Sequence, residues 1–221
     1  RTLRQAALKH KLYATFMAKP MENQPGSSLH LHQSLLNKKN KKNIFYSKKN
    51  TISNLMKNYI GGLQEFTPKL MPIHAPNINS YRRLFATWDA PKNTKWGIGN
   101  RSCGFRIPSN EEYGMRIENR ISGSDTNPYL VFAANLAAGY LGIKNKTKPT
   151  KESKKSVFNE KKSSLPKNME EAISMFEKDE QINEVFSQKF VRTIAAIRKV
   201  EYQAYLKVIS SWEREYLLLN V

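Results

Sequence analysis

Gly26-Ser27-Ser28-Leu29-His30-Leu31-His32-Gln33-Ser34 is a small-residue turn followed by alternating polar and apolar residues. Side chains of a strand point to opposite faces with period two. His30, His32 and Ser34 therefore share one face, and Leu29, Leu31 and Leu35 take the other. Two imidazoles and a hydroxyl on one face can bind a metal or a phosphate while the apolar back packs on a core. The plain alternative is a half-exposed strand edge, because short motifs arise by chance.

A second segment has the same design. In Arg116-Ile117-Glu118-Asn119-Arg120-Ile121 the alternation puts Arg116, Glu118 and Arg120 on one side and Ile117, Asn119 and Ile121 on the other. A carboxylate between two guanidiniums is either a surface ion-pair ladder, which contributes little to stability, or part of a site. Paired with His30, Glu118 could complete a divalent-metal site, and the arginines would then hold anionic oxygens bidentately.

More arginines lie between the two segments, in turn-rich sequence. Asn79-Ser80-Tyr81-Arg82-Arg83-Leu84 follows Ala75-Pro76-Asn77. The stretch from Trp96 to Pro108, with Asn100-Arg101-Ser102-Cys103-Gly104-Phe105-Arg106, follows Asp89-Ala90-Pro91. Arginine with glycine and asparagine suits phosphate and carboxylate recognition, because the backbone can approach the ligand.

Together with Phe16-Met17-Ala18-Lys19-Pro20 and Asn127-Pro128-Tyr129, these motifs in this order resemble the catalytic domain of glutamine synthetases. Met17 to Ser28 and the ending Ser211-Trp212-Glu213-Arg214-Glu215 are similar to the γ-glutamylpolyamine (γ-glutamylputrescine) synthetase branch. The likeness covers nearly the whole chain and is weakest from about 144 to 162. It implies a C-terminal part of a glutamine synthetase-like catalytic domain over residues 1–221, starting roughly halfway along the family's chain. The small N-terminal β-domain and most metal-binding glutamates would then lie upstream. The implied activity is ligation of the γ-carboxylate of glutamate to an amine such as putrescine, through γ-glutamyl phosphate, with ATP and Mg²⁺ or Mn²⁺ as cofactors. Glutamine synthesis from ammonia is the alternative, and a non-catalytic relative that keeps the fold is a further one.

Position by position, the resemblance implies metal ligation by His30 and Glu118 and ATP contacts by His32, Ser34, Arg101 and Arg106. It implies glutamate binding by Gly26, Arg83, Arg101 and Arg120, with catalytic work at Arg101, Arg120 and Asp89. Asp89 stands where glutamine synthetases carry a glutamate that shields the intermediate and deprotonates ammonium. Asp is one methylene shorter, which leaves room for a larger amine. Pro25 replaces an asparagine of that family, Tyr113 falls where it has an ATP-site lysine, and Ser156-Val157-Phe158-Asn159 lacks its regulatory tyrosine. The family also implies a dodecamer-like homo-oligomeric ring with active sites between subunits.

The chain has 221 residues, enough for one domain with a real core. It has no apolar run long enough to span a membrane. The single cysteine, Cys103, excludes an internal disulfide framework and fits a reducing, cytoplasmic compartment. A net charge of +19 would ordinarily suggest nucleic acid or an anionic membrane. Much of it, however, is lysine in two runs, at 37–50 and 144–167, without the interleaved aromatics of a single-strand binder. Solvated loops, with neither nucleic acid nor membrane as partner, are the expectation.

The remaining pattern predicts a helix ending near Tyr13, a strand over Ala14 to Met17 and a strand over Leu29 to Leu36. Ser53 should cap a helix through Phe66, with Gly61-Gly62 explained by close packing. Pro68, Pro72 and Pro76 mark a loop. Short strands follow from about Trp96 to Ile121, and then a buried apolar helix runs from Asn127-Pro128 to about Leu141. A flexible loop precedes a capping box at Asn168 and Glu171, and one long helix covers about Glu180 to Ser210. The fold class is α+β, with a curved antiparallel sheet backed by helices.

Overall fold

The computed structural model describes residues 1–48, 51–86, 90–108, 111–160 and 163–220. A four-stranded sheet carries the centre of the molecule. Its strands are β1 (Leu31–Gln33), β4 (Trp96–Ile98), β5 (Phe105–Ile107) and β6 (Ile117–Asn119), in the order β1-β6-β5-β4. The pairs β1–β6 and β5–β6 are antiparallel, but β4 and β5 run parallel, so the sheet is mixed rather than purely antiparallel. The extended segment 29–36 forms a regular strand only over its centre. On one side Ser28 bridges Gly123, and on the other Leu36 bridges Asn43. A two-stranded hairpin, β2 (Tyr46–Ser47) with β3 (Thr51–Ile52), lies beyond it.

Helices cover the apolar back of the sheet. α2 (Asn54–Phe66) is capped by Ser53, whose hydroxyl accepts from the Met56 amide at 3.1 Å. α5 (Pro128–Lys144) is capped by Asn127. The two helices pack so closely that a Cβ on Gly62 would lie 2.2 Å from the Ala138 carbonyl and 2.5 Å from the Gly142 Cα. That approach is the packing reason for Gly62, while Gly61 is required by the Thr147 carbonyl, 2.3 Å from where its Cβ would be. Only one side of α5 is buried. Val131, Ala134, Ala138 and Leu141 face the core, whereas Tyr129, Phe132, Leu136 and Tyr140 are exposed. Composition alone marked the whole helix as interior, because an apolar sequence carries no sign of which face meets the core.

Between sheet and helices lies a polar network among buried groups. Asn135 Oδ1 accepts from Asn119 Nδ2 at 2.7 Å and from Gln33 Nε2 at 3.2 Å, and Tyr59 Oη donates to Gln33 Oε1 at 2.6 Å. It ties α2 and α5 to β1 and β6.

Several expectations need correction. No strand forms over Ala14 to Met17, where Phe16 O instead accepts from the Ser124 hydroxyl at 3.0 Å. The proline-punctuated stretch is helical: a 3₁₀ turn (Pro68–Leu70), α3 (Met71–His74) and α4 (Ile78–Ala86). Proline is tolerated in the first turn of a helix, and Pro68 and Pro72 sit there. After α6 (Met169–Lys178), the expected long helix is two, α7 (Glu180–Phe186) and α8 (Gln188–Leu206), and a further helix, α9 (Ser211–Leu217), follows beyond its expected end. Ser187, at φ 70°, breaks the first junction. A capping box between Ser210 and Glu213 starts α9. At Asn168 the box is half-formed. The Asn168 side chain accepts from the Glu171 amide, but the Glu171 carboxylate accepts from Lys167 N. No residue of α1 (Thr2–Lys9) is buried, and among the described residues no helix is long and apolar enough to cross a membrane.

The described residues of the lysine-rich stretch between α5 and α6 form no regular elements, yet they are pinned. Trp96 Nε1 donates to Thr150 O at 2.8 Å, Asn100 Nδ2 to Ser153 O at 2.7 Å, and Val157 N to Ser102 Oγ at 2.9 Å. Val157 and Leu165 are buried. The side chains of β4 and its turn supply partners that the segment's own composition does not reveal.

Two stability predictions follow from this packing. Gly62→Ala forces α2 away from α5, so it should cost about 1–3 kcal/mol, read as a lower urea midpoint with an unchanged slope. His74 on α3 is fully buried, with Nδ1 2.9 Å from Ser122 Oγ. Burial pushes its pKa down to about 4. The unfolded chain protonates this group below about 6.5 and the folded chain only near 4, so stability is complete above 6.5 and falls as the pH drops between these values. About 3 kcal/mol is at stake at the acid end. Thermal melts from pH 7 to 4 should show the fall, and His74→Asn should flatten it.

Candidate active site

β6 positions the central group. Its alternation holds: Ile117, Asn119 and the following Ile121 are fully buried on the helix side, and Glu118 projects from the opposite face. Register places Glu118 across from His32 on β1 and from Arg106 on β5. Although on the outer face of the sheet, Glu118 is only 3% exposed, because other side chains cover it. Arg106 Nη1 reaches Oε2 at 2.8 Å, Arg120 Nη1 reaches Oε1 at 2.7 Å, and His30 Nδ1 lies 3.1 Å from Oε1. This is no surface ladder. A buried carboxylate is costly unless paired, and here both oxygens are occupied.

The electrostatics follow from the geometry. Burial raises the Glu118 pKa, but the hydrogen bonds and charges of Arg106 and Arg120 outweigh it and hold the carboxyl below its usual range. Burial lowers the His30 pKa, Arg120 adds to the effect, and Glu118 opposes it. His30 is therefore held neutral next to an ionised carboxylate, which are the protonation states a divalent metal needs. Ser28 Oγ, 3.2 Å from His30 Nε2, orients the ring.

Beside this cluster lies a cavity of about 140 Å³ lined by Gly26, Ser28, His30, Arg83, Ala90, Pro91 and Arg120. Arg83 reaches it from α4. Its side chain is buried, and Nη2 donates to the Ile121 carbonyl. Gly26 is required by close approach, since a Cβ there would lie 2.5 Å from Arg83 Cγ and 2.9 Å from Ala18 O. The segment around Gly26 is stitched down by Ser27 N to Ala18 O at 2.8 Å and by Lys19 N to Asn79 Oδ1 at 2.7 Å. Arg83 and Arg120 put two guanidiniums on a small cavity, suited to a carboxylate.

The predicted residues thus divide. Gly26, His30, Arg83, Arg106, Glu118 and Arg120 form one contiguous site. His32 is exposed next door, its Nδ1 accepting from Arg116 Nε at 3.0 Å. Ser34 is exposed beyond the end of β1. Arg101 is exposed in the turn between β4 and β5. It lines an open groove with Arg106, Lys154 and Phe158, and only its carbonyl meets the cluster, accepting from Arg120 Nε at 3.2 Å. Asp89 lies outside the described residues, although the following Ala90 and Pro91 line the cavity. Tyr113 is fully exposed. Sequence reasoning missed Ser28 as a partner of His30. Its place two residues earlier on the same face was the available signal.

Among the described residues, no three His, Cys, Asp or Glu side chains gather as a ligand set. His30 and Glu118 are nonetheless donors of the right type, and a hard cation would draw its further oxygens from other groups.

The family described as glutamine synthetase, catalytic domain, matches residues 1–217, and the chain belongs to it. Similar proteins include the γ-glutamylputrescine synthetase of Escherichia coli K12, 32% identical over all of this chain and 46% of that protein. A glutamate–isopropylamine ligase from Pseudomonas sp. is 34% identical over 96% of this chain and 47% of its own length. The glutamine synthetase of Pyrococcus abyssi is 36% identical over 91% and 47%. Among solved structures, a complex titled GmaS/ADP superposes with a TM-score of 0.88 at 29% identity, over 98% of this chain and 51% of that one. The chain thus spans about half the length of the curated relatives it matches. The expected family and the α+β class both hold, with the parallel β4–β5 pair as the difference in sheet detail.

The ion-pair cluster makes a prediction about stability. Glu118→Ala leaves two largely buried guanidiniums without their carboxylate, so it should cost about 3–5 kcal/mol. His30→Ala removes a half-exposed neutral ring and should cost about 1 kcal/mol. Urea unfolding of both variants checks the contrast, and equal losses would contradict the assignment of Glu118 as the anchor.

Proposed function

We propose that this chain forms part of an ATP-dependent ligase that joins the γ-carboxylate of glutamate to an amine, with putrescine-like polyamines as the favoured class, through γ-glutamyl phosphate. The observation that supports it most is the small cavity with Arg83 and Arg120 on its wall, directly beside the Glu118–His30 pair. In this reading Arg83, Arg120 and the backbone at Gly26 hold glutamate. Arg106 and Arg101, which share the adjoining groove, hold phosphate oxygens, with His32 and Ser34 at the nucleotide. His30 and Glu118 would hold a Mg²⁺ or Mn²⁺ ion, which neutralises phosphate charge when bound.

Phosphoryl transfer is mainly positioning and charge neutralisation, and a set of pre-paired arginines provides both. The second step needs a neutral amine and an acyl phosphate kept from water. Asp89 is the proposed group that attracts and deprotonates the ammonium. Active sites between subunits of a homo-oligomeric ring belong to the same proposal. Ammonia as the amine is the second reading, supported by the identity to the archaeal glutamine synthetase.

The test is phosphate release from ATP by the protein as its native gene encodes it, with glutamate and Mg²⁺, comparing putrescine with ammonium. The expected result is at least tenfold higher kcat/KM with putrescine. Faster turnover with ammonium would establish the second reading, and silence with both would overturn the proposal. Arg120→Lys, which loses the planar guanidinium that joins Glu118, the Arg101 carbonyl and the cavity, should raise the KM for glutamate at least tenfold.

A further inference from the structure

A second anion-binding feature lies away from the cavity. The lysine-rich stretch after α5 folds back onto the C-terminal half of α2, at Gly61 and Gln64, and closes a groove of about 530 Å³ along the helix's N-terminal half. Its walls are Asn54, Lys57 and Asn58 on one side and Lys146, Lys148 and Lys151 on the other, with Trp96 and Pro149 beneath. Among the described residues Glu152 is its only acidic lining residue, so four lysines against one glutamate leave three positive charges on the groove. Glu152 also accepts from the Ile98 amide at 3.4 Å, which holds it toward β4.

One observation sets these lysines apart from a solvated loop. Like most of the described lysines, Lys57, Lys146, Lys148 and Lys151 have no ion-pair partner among the described residues, but the backbone that bears three of them is fixed. Thr150 N donates to Gln64 Oε1 at 2.8 Å, Gln64 Nε2 reaches Thr150 Oγ1 at 3.0 Å, and Thr147 N donates to Gly142 O at 2.9 Å. Thr147 O lies where a Cβ on Gly61 would be, 2.3 Å away, so the loop is seated directly on α2. Mutual repulsion of unpaired ammoniums on a fixed frame is relieved when an anion binds. The positive end of the 13-residue helix α2 adds to the same field.

We propose that this groove is a binding site for a small ligand bearing two or more phosphates. Lysine is a point-charge binder suited to phosphate, and no arginine fork lines the groove to select a carboxylate. The volume fits a small molecule. Trp96 is 6% exposed and its Nε1 is committed to Thr150 O, so it offers no stacking platform for the bases of a single strand. The site is separate from the glutamate cavity and does not depend on the activity proposed above.

The experiment is calorimetric titration of the purified protein with inorganic tripolyphosphate at low salt, without nucleotide or glutamate. Lys57→Gln/Lys148→Gln/Lys151→Gln should weaken binding at least tenfold and leave basal turnover unchanged. Replacing the same three positions by arginine should retain binding. Lys38→Gln/Lys39→Gln/Lys42→Gln, which removes equal charge from another exposed segment, should have no effect. An equal loss in that control would show that net charge, not the groove, holds the anion, and would overturn the proposal. So would unchanged binding in the groove variant. A single-stranded oligonucleotide that outcompetes tripolyphosphate and loses affinity in the same variant would overturn the assignment to a small ligand.

Discussion

The buried carboxylate of Glu118 constrains the architecture more than any other single group. Taking it from water costs several kcal/mol unless its oxygens are paired, and its partners come from separate places in the chain. Arg106 lies on β5, Arg120 just after β6, and His30 just before β1. Satisfying one carboxylate therefore requires three strands side by side in the order β1-β6-β5. The same requirement fixes which face of each strand is polar. A one-residue slip of β6 would bury Arg116 or Arg120 in the core and turn Ile117 outward.

The cluster and the cavity share components, and this links stability to chemistry. Arg120 binds Glu118 and also lines the cavity, while Arg83 is anchored on the Ile121 carbonyl two residues after Asn119. Behind the sheet, the amides of Asn119, Asn135 and Gln33 hold β6 and β1 against α5 and α2. His74 meets Ser122, three residues beyond the end of the same strand. β6 is thus held from both faces. A ligand site on a strand held this way keeps its geometry without help from the ligand, as preorganised electrostatic recognition requires.

The charge of the chain has two different uses. Arg83, Arg106, Arg116 and Arg120 are gathered near the sheet, where each is committed to a carboxylate, a carbonyl or a cavity. Lysines dominate the segments around 37–48 and 144–160. One part of the second segment is fixed against α2 by Gln64 and Trp96 rather than left in solvent. Composition distinguishes neither case, because a pinned loop and a free one can have the same residues.

Period-two alternation in two short segments was enough to place His30 with His32 and Glu118 with Arg120, and the helix caps at Ser53 and Asn127 were readable for the same local reason. Motif order then pointed to the family. These features depend on residues close together in sequence, whose geometry the backbone dictates. The parallel pairing of β4 with β5, the exposed face of α5, the break at Ser187 and the cover over Glu118 were not legible, because each depends on a partner remote in the chain. Arg106 to Glu118 spans 12 residues, and His30 to Glu118 spans 88. The sequence by itself determined which side chains share a face. Only the tertiary structure decided which of those faces is buried, because burial, and with it the pairing and pKa of Glu118 and His30, is a property of the packed neighbours and not of the residue.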